Sequence, residues 1–176
     1  PSIIRGIEQT LRTKGYSLLL ASTNNDTEQE RLCLEQMLKQ NVSGLIVEPT
    51  KSNQYNPNLA YYLSFKEKGI PIVMINARYE ELSFPFVSVD DVEVGYQATK
   101  HLFENKHESL ALITKIDDLQ GKYRMKGFIK AHEEAGKIFD PGYLYTYTTE
   151  TKAQVMEQLI QQLTETNNGI TGIVCY

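Results

Sequence analysis

Short apolar runs alternate along the whole chain with segments whose apolar side chains recur at three- and four-residue spacing. A strand that is apolar throughout is buried on both faces, so the amphipathic segments flanking it must cover it. This leaves one fold class: α/β, built from parallel βαβ units with helices on both faces of each sheet.

Ile3, Ile4, Ile7 and Leu11 mark one helix face, closed by Gly15, and residues 16–21 read as a buried strand. Asn25 and Glu28 form a capping pair that opens a helix running to about Gln40, with Leu34, Met37 and Leu38 inward. Residues 44–47 and 72–75 are predicted strands, 61–68 a short helix and 87–89 an extended piece. The polar, turn-rich stretch 51–57 reads as a loop at the carboxyl end of a strand.

Asp90 or Asp91 caps a helix to about Glu104 with Val94, Ala98 and Leu102 on one face. Further strands are predicted over 110–113, 143–147 and 172–175. Between them lie helices over 121–135, with Met125, Phe128, Ile129 and His132 on one face, and 151–164, with Val155, Met156, Leu159 and Leu163 inward. A doubly wound sheet normally starts on a strand and covers its last one. This chain opens on a helix and stops on a strand, so it is expected to be clipped at both ends.

The net charge of -4 excludes a bulk electrostatic pull toward nucleic acid. The longest apolar run, Ile70-Pro71-Ile72-Val73-Met74-Ile75, falls far short of the roughly 20 residues that span a bilayer. Cys33 and Cys175 sit inside apparent regular elements and are expected to be reduced, buried thiols, which points loosely to the cytoplasm. The glycine fingerprint of dinucleotide sites, the phosphate loop and the nucleophile-elbow serine are all missing. His101, His107 and His132 lack metal-ligand spacing, so neither metal nor cofactor is expected.

The pairs Asp90-Asp91 and Asp117-Asp118 admit two readings, acid–base chemistry or helix caps and solvated loops. Polar residues do recur just past strand ends: Ser22-Thr23-Asn24, Glu48, Asn76-Ala77-Arg78, Asp90-Asp91 and Lys115-Ile116-Asp117-Asp118. Open α/β sheets bind ligands at that end. Amides, carboxylates and cations without a phosphate loop suit an uncharged polyhydroxyl compound better than a nucleotide.

Several segments together resemble the effector-binding domain of the lactose-repressor/galactose-repressor family. They are Gly6, Gly15-Tyr16, the acidic helix 27–38, Val42-Ser43-Gly44-Leu45-Ile46-Val47-Glu48-Pro49 and Ile70-Pro71-Ile72-Val73-Met74-Ile75-Asn76. They continue with Val89-Asp90-Asp91 before Gly95, Ala98 and His101-Leu102, then Arg124 with Gly127-Phe128 and Ala131, then Ile170-Thr171-Gly172-Ile173-Val174-Cys175. Over 1–8, 21–25, 45–52, 74–77 and 124–129 the likeness narrows to Gram-positive members that join a winged-helix DNA-binding domain to the sugar-sensing one. One departure is Lys106-His107, where the family usually has Gly-His. A lysine there is strained if the turn needs a positive φ.

The resemblance implies two Rossmann-like lobes of the periplasmic-binding-protein-like type, residues 1–89 and 90–176, each incomplete. It implies that they close on L-arabinose or a similar sugar through Glu48, Asn76, Lys115, Asp117, Gln120 and Arg124. It further implies a homodimer, operator DNA held by an N-terminal winged helix outside this chain, no membrane partner and no enzymatic activity. Arg124 is expected to point into the cleft opposite Asn76, or alternatively to pair with Asp117 or Asp118. Three other readings stay open at this point: a periplasmic sugar-binding protein of the same fold, a small α/β enzyme acting on a sugar phosphate, and an interaction module without a ligand.

Overall fold

The computed structural model describes residues 2–164 and 169–176. In chain order the elements are α1 (Ser2–Thr13), α2 (Thr27–Lys39), β1 (Leu45–Val47), α3 (Leu59–Glu67), β2 (Ile72–Ile75) and β3 (Phe86–Val87). They continue as α4 (Asp91–Glu104), β4 (Leu110–Lys115), α5 (Leu119–Glu134), β5 (Leu144–Tyr147), α6 (Lys152–Thr164) and β6 (Gly172–Cys175). Two parallel three-stranded sheets result, ordered β1-β2-β3 and β5-β4-β6. Each sheet with the helices on it forms a lobe, and the expected α/β class of parallel sheets holds.

The second sheet is covered on both faces because β4 alternates between two cores. Leu110 and Leu112 pack with Phe128 of α5 and Val174, whereas Ala111 and Ile113 pack with Tyr145, Tyr147 and Leu159 of α6. The first sheet rests on one cluster of Leu34, Met37, Tyr62, Phe65, Ile72, Met74, Tyr79 and Leu82.

Four local readings need correction. Residues 16–21 form no strand. Their apolar character is genuine, but among the described residues no strand pairs with them, and Tyr16, Leu19 and Leu20 are exposed. The cap of α2 is Asp26, whose carboxylate accepts the Gln29 N–H at 2.8 Å, and Asn25 turns elsewhere. Cys175 is exposed and Cys33 only half-buried; both are free. The inward face of α4 is Asp91, Gly95 and Thr99, with Val94 and Ala98 exposed. Lys106 does adopt a left-handed φ of 66°, the strained turn its position suggested.

The reversal on α4 has a steric cause. At Gly95 an added Cβ would stand 2.2 Å from the Arg124 carbonyl oxygen, and at Gly127 it would stand 2.0 Å from that of Val92. The helices α4 and α5 therefore touch backbone to backbone, and a small-residue stripe displaces the apolar one. Gly95→Ala should lower stability by about 1–3 kcal/mol through overpacking. Gly6→Ala in α1, where nothing lies within 4 Å, should raise it by up to about 1 kcal/mol through helix propensity. Thermal unfolding of the two variants checks the contrast.

His132 lies inside the second lobe, 2 % exposed, ringed by Phe103, Phe128 and Phe139. Its Nδ1 is 2.9 Å from the Phe128 carbonyl, and Nε2 has no hydrogen-bond partner among the described residues. Burial pushes its pKa below 6.5; the Lys137 charge adds to this and the Phe128 carbonyl opposes it. A depressed pKa means that the unfolded chain takes up a proton first as pH falls. The stabilisation is thus complete above 6.5 and is lost as pH drops below it. The Tm should fall through that window, and His132→Leu should flatten this part of the profile when it is scanned over about pH 5 to 8.

Candidate functional site

Parallel strands end on the same side, so the residues after β1 and β2 are neighbours. The Asn76 side-chain amide donates to Glu48 Oε1 at 2.8 Å. Asn76 has a left-handed φ of 65°, a conformation asparagine tolerates better than most residues, and its N–H donates to the Val87 carbonyl at 2.9 Å. The turn aims its amide across the strand ends.

In the second lobe the chain leaves β4 and enters α5 at once. Gly121 makes this sharp entry workable, because a Cβ there would lie 1.8 Å from the Lys115 carbonyl oxygen. Lys115 Nζ donates to Asp118 at 2.6 Å and lies 3.1 Å from Asp117 Oδ1. Burial works to lower the Lys115 pKa, but the bonds to Asp118 and Asp117 outweigh it and the net shift is upward. The Tyr176 hydroxyl is 3.3 Å from both the Asp118 carboxylate and the Gln120 side-chain oxygen. Burial, with Asp118 next to it, raises the Tyr176 pKa well above the usual phenol range.

Between the lobes lies a cleft of about 210 Å³, lined among others by Asn76, Arg78, Asp90, Asp91, Gln120 and Tyr123. Of the six residues singled out from sequence, Asn76 and Gln120 therefore face one space. Glu48 joins that space through Asn76. Lys115 is tied to Asp117 and Asp118. Arg124 donates from Nε to Asp91 at 2.8 Å, and its guanidinium lies over the Tyr176 ring at 5.1 Å. Its acceptor is thus neither Asp117 nor Asp118.

Asp117 has no solvent exposure and sits where the lobes touch. Its Oδ2 accepts from Asn25 Nδ2 at 3.2 Å, from the Thr149 N–H at 3.1 Å and from the Thr149 hydroxyl at 3.0 Å. Beside it, Lys51 Nζ reaches Glu150 at 2.5 Å and holds that carboxyl down to about 2. Sequence reasoning left out Asp91 and Tyr176 as site residues. Adjacent carboxylates gave no sign which one would be buried, and a terminal tyrosine has no periodic neighbour to mark its direction.

A family model for a periplasmic binding protein domain matches residues 2–176. The chain belongs to that family. It is 52 % identical over its full length to an arabinose metabolism transcriptional repressor from Halalkalibacterium halodurans, of which it covers 47 %. It is 48 % identical, again over its full length, to the repressor of the same name from Geobacillus stearothermophilus, of which it covers 49 %. The chain thus spans about half the length of the curated relatives it matches. Among solved structures it resembles the Cra transcriptional dual regulator from Pseudomonas putida in complex with fructose 1-phosphate. There the TM-score is 0.82 at 24 % identity, over 98 % of this chain and 62 % of that one. The resemblance to the lactose-repressor/galactose-repressor family is borne out by these relatives, which are named as repressors and regulators.

Within this fold the Arg124–Asp91 pair has a consequence for mutants. Asp91 is 4 % exposed, so Arg124→Ala leaves a buried carboxylate without its cation. The arginine keeps 27 % of its side chain exposed and is partly screened, so the loss should fall below the roughly 3–5 kcal/mol of a fully buried pair. Arg124→Ala should melt lower than the parent, and adding Asp91→Asn should recover part of that loss in a denaturant titration.

Proposed function

We propose that the chain is the sugar-sensing part of a cytoplasmic transcriptional repressor of arabinose metabolism. Its lobes, residues 1–89 and 90–176, close on L-arabinose, and closure releases the parent protein from operator DNA of arabinose-utilisation genes. The observation that carries this reading is the cleft holding Asn76 and Gln120 together, in a chain 52 % identical throughout to an arabinose metabolism repressor.

Glu48 positions the Asn76 amide and accepts a sugar hydroxyl with its second oxygen. Gln120 and Arg124 present hydrogen bonds from the opposite lobe, Arg124 through the terminal nitrogens that Asp91 leaves unused. A planar fork of this kind holds two neighbouring hydroxyls. Lys115 and Asp117 support that wall from behind. DNA contact falls to an N-terminal winged-helix domain outside this chain, and the working state is a homodimer with no catalytic step. Sugar weakens operator binding only as far as it prefers one lobe arrangement over the other.

Binding to the folded state alone stabilises it by about 2.7 kcal/mol at a hundredfold excess over the dissociation constant. L-Arabinose should therefore raise the Tm of the full-length protein, while D-glucose and inorganic phosphate leave it in place. Equal shifts for all three, or none with arabinose, would overturn the assignment.

A further inference from the structure

Glu30 carries a carboxylate into the first lobe with 2 % of its surface exposed. Its Oε1 accepts from the Tyr62 and Tyr79 hydroxyls, both at 2.6 Å. Its Oε2 accepts from Asn56 Nδ2 at 2.7 Å and Asn58 Nδ2 at 2.8 Å. An apolar side chain of the same volume often stabilises a core as well as a buried ionic group does, so packing alone is a poor account of this residue. What four hydrogen bonds do supply is direction, and they tie α2 and α3 to the loops 50–58 and 76–85.

The loop is the informative member. Thr50, Ser52, Asn56 and Asn58 are all buried, which is unusual for polar residues in a segment without regular structure. Its root is held from the first lobe. The Thr50 N–H donates to the Tyr79 hydroxyl at 2.8 Å, and the Lys51 N–H donates to Asn25 Oδ1 at 2.8 Å. Lys51 has a left-handed φ of 44°, a conformation a lysine takes only where its surroundings hold it.

The tip of the same loop grips the other lobe. The Asn53 N–H donates to the Asp117 carbonyl at 3.0 Å, and Asn53 Nδ2 donates to the Ile116 carbonyl at 2.8 Å. Ser52 Oγ accepts the Leu119 N–H at 2.9 Å. That last bond satisfies one of the free donors at a helix start. Leu119 opens α5, and the N-cap residue Asp118 makes no side-chain capping bond, because its carboxylate is engaged by Lys115. The first N–H groups of a helix need an outside acceptor. Here a serine from the opposite lobe supplies it. The helix capped in this way carries Gln120 and Arg124.

We infer that loop 50–53 is an interlobe latch, rooted on Glu30 through Tyr79, in which Ser52 caps α5 across the lobes and so positions Gln120 and Arg124 for ligand. Glu30, Tyr79 and Ser52 are positioning residues and touch no ligand themselves. The latch is a property of the protein alone. Only its effect on binding rests on the sugar reading above.

Amide hydrogen exchange on the full-length protein without sugar tests the latch directly. Tyr79→Phe removes the hydroxyl between Glu30 and Thr50 but leaves Glu30 three donors. It should speed exchange at Asn53 and at the distant Leu119 by about tenfold or more, the effect of about 1.4 kcal/mol. The β4 amides of Ala111, Leu112 and Ile113 should keep their wild-type rates. Unchanged rates at Leu119, or a uniform rise that includes β4, would overturn the latch. Should Tyr79→Phe not fold, Asn53→Ala at the tip carries the same readout at Leu119.

Titration with L-arabinose tests the positioning role. Ser52→Ala and Tyr79→Phe should each weaken binding about tenfold. The double variant should be no weaker than the poorer single, and Ser52→Thr should restore affinity. Additive losses, or affinities equal to wild type, would overturn positioning. A wild-type protein that ignores arabinose would overturn the ligand reading, and the exchange rates would still decide the latch.

Discussion

Two glycines let α4 and α5 meet backbone to backbone, and the arrangement of the second lobe follows from that contact. With Gly95 against the Arg124 carbonyl and Gly127 against that of Val92, no side chain separates the helices. Asp91, at the first turn of α4, is thereby brought within 2.8 Å of Arg124 on α5. The same closeness sets α5 over β4, where Phe128 packs on Leu110 and Leu112. A bulkier pair of helices would stand farther from each other, and Gln120 would not share the cleft with Asn76.

The first lobe is organised around the opposite kind of interaction, a carboxylate with no cation beside it among the described residues. Glu30 is accommodated because four donors converge on its two oxygens. Burying a charge is unfavourable unless its lone pairs are occupied, and hydrogen bonds to a charged group are the stronger ones. The arrangement is all-or-none in character, since a half-satisfied buried network is worse than an apolar core. Loop 50–58 is therefore held by buried hydrogen bonds where its composition suggests a solvated turn, and those bonds reach from the Glu30 network to the other lobe.

Much of the architecture was legible from spacing. The strands 72–75 and 172–175 match β2 and β6, and α6, β1 and β4 lie within a few residues of expectation, because buried parallel strands leave continuous apolar runs. The run at 16–21 misled for a physical reason: a strand is defined by its partner, and apolar character alone cannot provide one. On α4 the apolar spacing placed Leu102 correctly against the core but Val94 and Ala98 on the wrong face, since close helix contact selects for the absence of a side chain. In the candidate site, Asn76 was singled out from its place after a strand end and Gln120 from the resemblance alone, and the two line one cleft. Of the two readings of Arg124, the alternative pairing with Asp117 or Asp118 gives way to Asp91.

By itself the sequence determined the alternating α/β layout, the side of each sheet on which polar groups gather, and membership of the family. Those depend on period, on length and on residues close together in the chain. Only the tertiary structure decided that Asp91 rather than Asp117 or Asp118 takes Arg124, that Asp117 is enclosed between lobes, and that Ser52 caps a helix 67 residues further along. Such pairings join groups from different elements. Their partners are selected by distances of about 3 Å, within hydrogen-bond reach, which no local pattern encodes.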